Sequence, residues 1–306
     1  MVRVAAVQAA PVFMDLQASL EKAIDLIARA AGQGARLVAL GETWLPGYPA
    51  WIDTCPGAAL WDHPPAKQAY ARLKANSVVI PGKETARLGE AARQHQVVLV
   101  IGVHERVEGG PGHGTLYNTQ IIFGADGAIL SRHRKLVPTY GERLLWGPGD
   151  GGGLAAVATP CGRVGSLICW EHWMPLARQA MHQSGEEIHV AAWPTVREMY
   201  QIASRHYAFE GRCFVLAVGQ ILRAGDLPAD LGLPPELEGK PETLIASGGT
   251  CIIGPDGAFL AGPVFDREEI VYADLDLGRI AEESLSLDVT GHYSRPDVFD
   301  FKVRER

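Results

Sequence analysis

The sequence predicts an α/β fold in which two mixed β-sheets pack face to face and helices cover both outer faces, an αββα sandwich. Apolar, β-branched runs alternate with helical patterns along the chain, as expected where helices cover a sheet. Several β runs are joined by tight turns that contain glycine, which predicts antiparallel pairs and excludes a purely parallel sheet. Two such sets follow each other without a linker, so we expect one domain over residues 1–306, with a short carboxy-terminal extension from about residue 290.

The first half of the chain contains both kinds of connection. Asp15 is a suitable N-cap for a helix with apolar residues at helical spacing, and the glycines at 32 and 34 end it. The turn Gly124-Ala-Asp-Gly127 joins two β runs into a hairpin. The predicted elements are, in chain order, a strand over 2–8, a helix over 16–31, a strand over 36–40, a helix over 85–95, a strand over 97–107 and hairpin strands over 115–123 and 128–132.

The second half repeats this pattern. Pro175 suits the first turn of a helix, and Gly185 closes it. Residues 222–243 are rich in proline and lack apolar periodicity, which predicts a long surface loop and a candidate substrate-facing segment. The predicted elements are, in chain order, hairpin strands over 154–158 and 163–168, a helix over 175–185, a strand over 188–192, a helix over 197–212, a strand over 213–221, hairpin strands over 250–253 and 258–260, and a strand over 269–275.

Composition and charge exclude several classes of protein. The 28 Lys and Arg residues against 35 Asp and Glu residues give a net charge of −7, so the broad basic surface that nucleic acid requires is missing. With 47% hydrophobic and 21% charged residues, the composition is typical of folded proteins. No window has the roughly 18 uninterrupted apolar residues of a membrane span. We therefore expect neither nucleic acid nor a membrane as a partner.

The cysteines and histidines bear on compartment and cofactors. Five cysteines without Cys-x-x-Cys spacing indicate free thiols in a reducing compartment. No secretory leader develops near the amino terminus, so we expect a cytoplasmic protein. The ten histidines form no metal-binding pattern, and the glycine-rich segments lack the lysine of a phosphate-binding loop. We expect no metal and no cofactor.

Cys169 ends a predicted strand and precedes a predicted helix start at Pro175. Such a turn exposes the sulfur near the amides of a helix amino end, where partial positive charge favours the thiolate. The alternative is a buried core cysteine, which is the more common state of a free cysteine. Cys161, Cys213 and Cys251 fit that alternative.

Glu42 and Lys135 lie just beyond predicted strand ends, where side chains face a shared crevice. A buried carboxylate beside a lysine and a thiol can exchange protons with both near neutral pH. Each of these charges alone is also typical of a solvated surface. His172 is a second candidate base near Cys169, although the sequence identifies no side chain that orients it.

Three segments together resemble the signature segments of nitrilases. They are Gly-Glu-Thr-Trp-Leu-Pro-Gly-Tyr-Pro at 41–49, His-Arg-Lys-Leu-Val-Pro-Thr-Tyr-Gly-Glu-Arg at 133–143 and Cys-Trp-Glu-His-Trp-Met-Pro-Leu at 169–176. Further similarity lies at 3–8, 117–119, 207–212 and 291–297, so that it extends over nearly the whole chain. The resemblance implies a nitrilase-like αββα sandwich.

The resemblance also implies a Glu-Lys-Cys triad that hydrolyses a small organic nitrile to the carboxylic acid and ammonia. Glu42 would be the general base, Cys169 the nucleophile and Lys135 the cation that stabilises negative charge. Glu142 matches a second family glutamate that supports the triad, and the amide of Trp170 would complete an oxyanion site. The reaction would pass through a thioimidate and an acyl thioester, without a metal or redox step.

Aromatic residues cluster around these segments. The candidate substrate contacts among them are Tyr48, Trp170, Trp173 and Trp193. Ordinary core packing is the alternative for each of them. A helical stripe indicates either core or a subunit interface, and it consists of Met199, Ile202, His206, Phe209 and Cys213. The resemblance implies at least a homodimer.

The Cys-Trp-Glu segment that begins at Cys169 favours a nitrilase over the amidases of the same superfamily, on the strength of the resemblance. Two alternatives stay open: an amidase, and a non-catalytic relative that serves as an interaction scaffold. The joint presence of Glu42, Lys135 and Cys169 argues against the scaffold. Preference among aliphatic, aromatic and arylacetic nitriles depends on pocket shape, and hence on loops such as residues 222–243.

Overall fold

Two β-sheets lie face to face with helices on both outer sides, which confirms the predicted αββα sandwich. The computed structural model describes residues 1–304. The strands are, in chain order, β1 Val2–Gln8, β2 Leu37–Leu40, β3 Val98–Arg106, β4 Leu116–Phe123, β5 Ile129–Arg134, β6 Val157–Thr159, β7 Gly162–Ile168, β8 Ile188–Ala192, β9 Phe214–Val218, β10 Ile221–Arg223, β11 Leu244–Ile253, β12 Phe259–Phe265 and β13 Glu269–Leu275.

The helices confirm the main predictions and add shorter elements. They are α1 Leu16–Gly32, α2 Trp51–Thr54, α3 Pro64–Ala75, α4 Lys83–His95, α5 Pro175–Gln183, α6 Glu198–Gly211 and α7 Gly278–Glu283. Asp15 caps α1 as predicted, because its carboxylate accepts a hydrogen bond of 3.0 Å from the amide of Ala18. No helix within residues 1–304 combines the length and apolarity needed to cross a membrane.

The helices α2, α3 and α7 have no counterpart among the elements predicted from sequence. α2 has only four residues, α3 buries only Ala69 and Leu73, and α7 has no buried residue. A helix that buries two side chains does not produce the apolar periodicity by which α1 and α4 are recognised. The buried residues of α2 and α3 pack in a small core with distant residues such as Leu227 and Leu231, which no local pattern encodes.

Three apolar cores separate the four layers. The middle core lies between the sheets, where for example Ala39 and Val100 of one sheet belong to the same cluster as Val190 and Leu216 of the other. A second core lies between the first sheet and α1 and α4, and a third lies between the second sheet and α5 and α6. Strands buried on both faces are therefore continuous apolar runs, which explains why they were recognised from sequence.

Strand direction determines where the functional loops lie. The first sheet has the order β13-β1-β2-β3-β4-β5, and the second has the order β10-β11-β9-β8-β7-β6, with β12 paired to β11. β2 is parallel to β3, and two antiparallel pairings through β4 make β5 parallel to both. The carboxyl ends of β2 and β5 therefore lie at one edge of the first sheet. In the second sheet β7, β8 and β9 are parallel.

The strand predicted over 213–221 is instead two strands, β9 and β10, interrupted at Gly219 and Gln220. A β-carbon at Gly219 would lie 2.4 Å from the carbonyl oxygen of Gly248, so only glycine fits this close approach. The interruption turns Gln220 toward the other sheet, where its Nε2 donates a hydrogen bond of 2.8 Å to the carbonyl oxygen of Glu42.

The loop predicted over 222–243 is more firmly anchored than a surface loop. It begins with β10, and short 3-10 turns follow at Ala224–Asp226 and Ala229–Leu231. Leu227 and Leu231 are buried in a small core that also contains Trp51. The sequence pattern does not mark Leu227 and Leu231 as core residues, because they lie between prolines and outside any helix or strand with regular apolar spacing.

Gly102 in β3 packs directly against the main chain on either side of Glu42. A β-carbon there would lie 2.4 Å from both the Gly41 carbonyl oxygen and the Thr43 amide nitrogen, so the backbone around Glu42 would have to move. We expect Gly102→Ala to lower the free energy of unfolding by about 1–3 kcal/mol, measured by urea denaturation. Gly32→Ala is the control, since nothing lies within 4 Å of that β-carbon. Equal stability of the two variants would contradict the close approach.

Candidate active site

Four predicted site residues from separate segments meet in one place. Glu42 follows β2 by two residues, Lys135 directly follows β5, and Cys169 directly follows β7. Glu142 lies in the 3-10 helix Tyr140–Leu144. The Lys135 Nζ atom lies 2.9 Å from Glu42 Oε1 and 2.7 Å from Glu142 Oε2. The structure therefore brings these groups together, and their catalytic roles remain predictions.

The site is almost completely shielded from solvent. The exposed fraction is 0% for Glu42, 1% for Lys135 and Glu142, and 4% for Cys169. Buried charges are tolerated only when they are paired and hydrogen-bonded, and here one ammonium group faces two carboxylates. Within residues 1–304 no group of three or more His, Cys, Asp and Glu side chains is placed to hold a metal ion. The cation that faces both carboxylates is Lys135.

Cys169 occupies a strained backbone position. Its φ is +52°, in the left-handed region that residues with a β-carbon rarely adopt. Thr43 and Tyr140, which lie beside or near the two glutamates, also have positive φ, at 44° and 42°. Strain of this kind costs energy and persists where the surrounding structure holds it, commonly at active sites. The turn directs the Cys169 side chain from the strand end toward Glu42.

The Cys169 thiol is held in its protonated form. Burial raises its pKa well above the usual value, and the negative charge of Glu42 raises it further, while Lys135 opposes both effects. The sulfur becomes a nucleophile only if its proton is removed, so the site needs a base in contact with it.

Glu42 has the properties of that base. Burial raises its pKa to about 7, with Lys135 lowering it and Glu142 raising it. Its Oε1 accepts hydrogen bonds from Lys135 and, at 2.7 Å, from Asn118 Nδ2. Its Oε2 has no hydrogen-bond partner within residues 1–304 and is free to accept a proton. A carboxyl group with a pKa near neutrality can both take and return a proton.

Lys135 keeps its charge despite burial. Burial alone would lower its pKa, but the Glu42 and Glu142 carboxylates outweigh this and hold the pKa above its ordinary value. The ammonium group is therefore a permanent cation beside the sulfur. Such a fixed charge stabilises an anion that develops at the reacting atom.

Two polar residues that the sequence analysis did not assign a role complete the site. Asn118 lies near the start of β4, and its main-chain oxygen also accepts the Lys135 amide at 2.8 Å. Gln220 holds the Glu42 backbone from the opposite sheet. The antiparallel pairing of β4 with β5 places Asn118 between the glutamate and the lysine, and only the strand register could have revealed this.

Glu171 ties the Lys135 segment to the Cys169 turn. It is fully buried, and its carboxylate accepts hydrogen bonds of 2.7 Å from the amides of both Leu136 and Ile168. His133 approaches the same carboxylate at 2.8 Å. Burial would raise the pKa of Glu171, but the contact with His133 and these hydrogen bonds lower it, so it stays ionised. The sequence analysis recorded Glu171 only as part of a signature segment.

The candidate substrate contacts differ in their surroundings. Tyr48 donates its hydroxyl to Glu142 Oε1 at 2.9 Å. Trp170 and Trp173 are partly exposed and line a cavity of about 640 Å³ beside Thr139. Trp193 is fully buried, with its ring stacked on Tyr200 at 4.7 Å between centroids and on His172 at 4.8 Å. For Trp193 the packing favours support of the site from behind, and contact of any of the four with substrate stays a prediction.

Comparison with known proteins agrees with this site. The sequence model of the carbon-nitrogen hydrolase family matches residues 3–283. An aliphatic nitrilase of Sinorhizobium fredii is 42% identical over 99% of this chain and 96% of its own length. The bifunctional nitrilase/nitrile hydratase NIT4A of Lupinus angustifolius is 41% identical over 99% of this chain and 86% of its own. The crystal structure of a carbon-nitrogen hydrolase from Helicobacter pylori G27 shares the fold, with a TM-score of 0.75 at 22% identity, covering 97% of this chain and 96% of its own.

Proposed function

This chain belongs to the carbon-nitrogen hydrolase family, in its nitrilase branch, and we propose that it hydrolyses organic nitriles to the carboxylic acid and ammonia with Cys169 as the nucleophile. The observation that carries the proposal is the buried cluster of Cys169, Lys135 and Glu42, in which Glu42 has a pKa of about 7 that suits a general base. The names of the lupin and Sinorhizobium relatives support nitriles as the substrate class.

The first step forms a thioimidate. Glu42 takes the proton from the Cys169 sulfur, and the sulfur attacks the nitrile carbon. One π bond of the carbon–nitrogen triple bond breaks, its electrons go to nitrogen, and Glu42 returns the proton there. Negative charge that develops on nitrogen is stabilised by the Lys135 ammonium and by the amide of Trp170. The product is R–C(=NH)–S–Cys169, and Glu42 is again a carboxylate.

Two water molecules then complete the hydrolysis. Glu42 removes a proton from the first water as it adds to the thioimidate carbon and passes this proton to the nitrogen, which gives a tetrahedral intermediate with one hydroxyl and one amino group. Glu42 then moves the hydroxyl proton to the amino group, the carbon–oxygen double bond forms, the carbon–nitrogen bond breaks, and ammonia leaves. This gives an acyl thioester on Cys169. The second water releases the carboxylic acid by the same use of Glu42 and restores the thiol. If the tetrahedral intermediate expels sulfur instead of nitrogen, the product is the amide, and the bifunctional name of the lupin relative supports a minor amide fraction.

Glu142 and the aromatic residues have supporting roles in this proposal. Glu142 holds Lys135 through both of its oxygens, at 2.9 and 2.7 Å, and fixes the ammonium group between the two carboxylates. Tyr48 fixes Glu142 in turn. Trp170 and Trp173 line a cavity that the four catalytic candidates do not line themselves, and there their rings offer apolar surface to the organic part of a nitrile. These assignments follow from contacts and await mutation.

The reaction products separate this proposal from its alternatives. We expect incubation with a panel of aliphatic, aromatic and arylacetic nitriles to give acid and ammonia for at least one member, measured by chromatography and an ammonia assay. Cys169→Ala should lose more than about 10³-fold of that activity, because the nucleophile is gone. Turnover of amides alone would make the chain an amidase, and absence of any turnover would favour a scaffold.

A matched cysteine variant distinguishes loss of the nucleophile from misfolding. Cys251 is also buried, but it lies in the outer core next to α6, away from the glutamates. Cys251→Ala should therefore keep nearly full activity, with at most a modest loss of thermal stability. Retained activity in Cys169→Ala, with loss in Cys251→Ala, would place the nucleophile elsewhere.

The pH dependence of turnover should report Glu42. The base must be ionised to take the thiol proton, so kcat/KM should fall as the pH drops through about 7, the pKa of Glu42. Because the Glu142 charge raises that pKa, Glu142→Gln should move the acid limb to lower pH. Because the Asn118 hydrogen bond lowers it, Asn118→Leu should move the limb to higher pH. Shifts of the same sign in both variants, or no shift, would show that Glu42 is not the titrating base.

We also propose that the chain pairs through the outer face of α5 and α6. Leu176, Met199, Ile202 and Phe209 on these helices are 46–68% exposed, a density of large apolar side chains that indicates an interface. Three of them belong to the stripe singled out from sequence, while Cys213 of that stripe is buried. Ile202→Glu should convert a dimer to a monomer in light scattering, and Val12→Glu, at another exposed apolar position, should not. A wild-type monomer would contradict the pairing.

Two further expectations about the whole chain stay proposals. All five cysteines are free thiols, which supports a reducing compartment such as the cytoplasm. The shared core between the two sheets supports one domain over residues 1–306, with an extension from about residue 290, although residues 305 and 306 lie outside the described part of the chain.

A further inference from the structure

Behind the Cys169 turn lies a buried polar network that the proposed reaction does not use. We call it the histidine network; its members are His172, His182, Glu186, His189, Glu210 and Arg178. His172, His182, Glu186 and His189 are each no more than 5% exposed. Burying this many polar groups is costly unless each is satisfied, so their hydrogen bonds carry information about protons and charge.

The network starts at the main chain of the nucleophile. His172 Nδ1 lies 2.7 Å from the carbonyl oxygen of Cys169, and its Nε2 lies 3.0 Å from His189 Nε2. His189 Nδ1 lies 2.8 Å from Glu186 Oε2. The other oxygen of Glu186 faces His182 at 3.1 Å and accepts the hydroxyl of Tyr207.

The network then returns to the turn. His182 Nε2 lies 3.2 Å from Glu210 Oε2, and Arg178 Nε lies 2.6 Å from the same oxygen. Arg178 Nη1 donates a hydrogen bond of 3.1 Å to the carbonyl oxygen of His172. Both carbonyl groups on the inner side of the Cys169 turn are therefore held by one connected set of side chains.

Hydrogen-bond chemistry determines the proton count of the His172–His189 pair. A carbonyl oxygen only accepts, so His172 Nδ1 must carry a proton. Burial would raise the pKa of Glu186, but contacts with His189 and His182 lower it to about 2, so it is a carboxylate that only accepts, and His189 Nδ1 must also carry a proton. The contact between the two Nε2 atoms needs a third proton, because one nitrogen must donate and the other must accept. Two neutral imidazoles carry two ring protons, so this pair holds one extra proton and one positive charge.

The positive charge of the pair faces Glu186. Burial lowers the pKa of His172 to about 3, which disfavours a charge on that ring, and the carboxylate of Glu186 lies 2.8 Å from the other ring of the pair. His182 donates to two carboxylates and is an imidazolium: burial would lower its pKa, but Glu186 and Glu210 raise it to about 9. The charged or titratable groups facing the pair from the surrounding elements are Glu171, Arg178, His182, Glu186, Tyr207, Glu210 and Cys213.

The carbonyl held by His172 belongs to the same peptide unit as the Trp170 amide. In a planar trans peptide the C=O and N–H bonds point in opposite directions. The Trp170 amide lies in the first turn of the 3-10 helix Cys169–Trp173, where amides have no partner within the helix. Holding the Cys169 oxygen on the inner side therefore aims the Trp170 N–H to the other side, away from the histidine network.

We propose that His172 is a positioning residue that holds the Cys169–Trp170 peptide so that the Trp170 N–H faces the reacting atom, and that the extra proton shared with His189 maintains this hold. The inference rests on the proposed function, which assigns that amide to the developing anion. When the extra proton is lost, the two Nε2 atoms face each other as lone pairs, and His172 loses its support. The peptide is then free to rotate, and the anion loses one of its two donors.

His172→Phe tests the positioning role. Phenylalanine keeps the ring that stacks on Trp193 but removes both nitrogens. We expect kcat to fall about 10²–10³-fold, the usual effect of losing one oxyanion donor, with KM changed much less. His63→Phe is the control, because His63 Nδ1 also lies 3.0 Å from a main-chain oxygen, that of Gly57, but His63 is outside the histidine network; its kcat should stay within about threefold of wild type. An unchanged kcat in folded His172→Phe, or an equal loss in His63→Phe, would overturn the proposal.

The extra proton has its own test. Glu186→Gln removes the carboxylate that stabilises the positive charge of the His172–His189 pair, so the alkaline fall of kcat should move to lower pH while the neutral plateau is less affected. The assay uses whichever nitrile or amide the wild type turns over, so a wrong substrate class for the chain does not mask a wrong role for His172. An alkaline limb that does not move would contradict the role of the proton.

One measurement needs neither substrate nor variant folding. In ¹⁵N-histidine-labelled wild-type protein, the ring nitrogen shifts of His172 and His189 should report three protonated nitrogens out of four at pH 7. Two protonated nitrogens would overturn the inference while leaving the proposed hydrolysis untouched.

A crystal structure of His172→Phe tests the same inference through the main chain. It should show the Cys169–Trp170 peptide rotated, and an unrotated peptide would overturn the inference.

Discussion

The Lys135 ammonium group allows two carboxylates and a thiol to share one buried site. Without it, Glu42 and Glu142 would be like charges in a medium of low polarity, and removing one partner from such a buried set typically costs about 3–5 kcal/mol. With it, Glu42 keeps a pKa of about 7 and can cycle between base and acid. The reactivity that we propose for Cys169 follows from this balance, because burial alone leaves the sulfur protonated.

The fold provides the balance by placing strand ends opposite each other. β2 and β5 end on the same side of the first sheet, and β7 ends in the facing sheet. The residues that follow these three strands, Glu42, Lys135 and Cys169, meet where the two sheets face each other. Glu171 joins the segment that follows β5 to the end of β7. The histidine network holds the main chain of the Cys169 turn from the other face. The strained φ of Cys169 is therefore maintained from both faces of the turn by groups that take no direct part in the chemistry.

Much of this architecture could be predicted from sequence because buried strands and amphipathic helices leave regular apolar patterns. α3 and α7 left none, and Gly219 interrupted a run that otherwise reads as one strand. The predicted meeting of Glu42, Lys135 and Cys169 rested on recognisable segments. Asn118, Gln220 and the bonding of His172 depend on strand register and on side-chain direction across the two sheets, which no local pattern encodes.

The ionisation of Glu42 is the central physical claim, and it can be observed directly. In protein labelled with ¹³C at glutamate carboxyl carbons, the resonance absent from Glu42→Gln should titrate with a midpoint near pH 7. Such a midpoint would show that the buried site holds a base poised between its two states. A resonance that titrates below about pH 5, like an ordinary glutamate, would contradict the account.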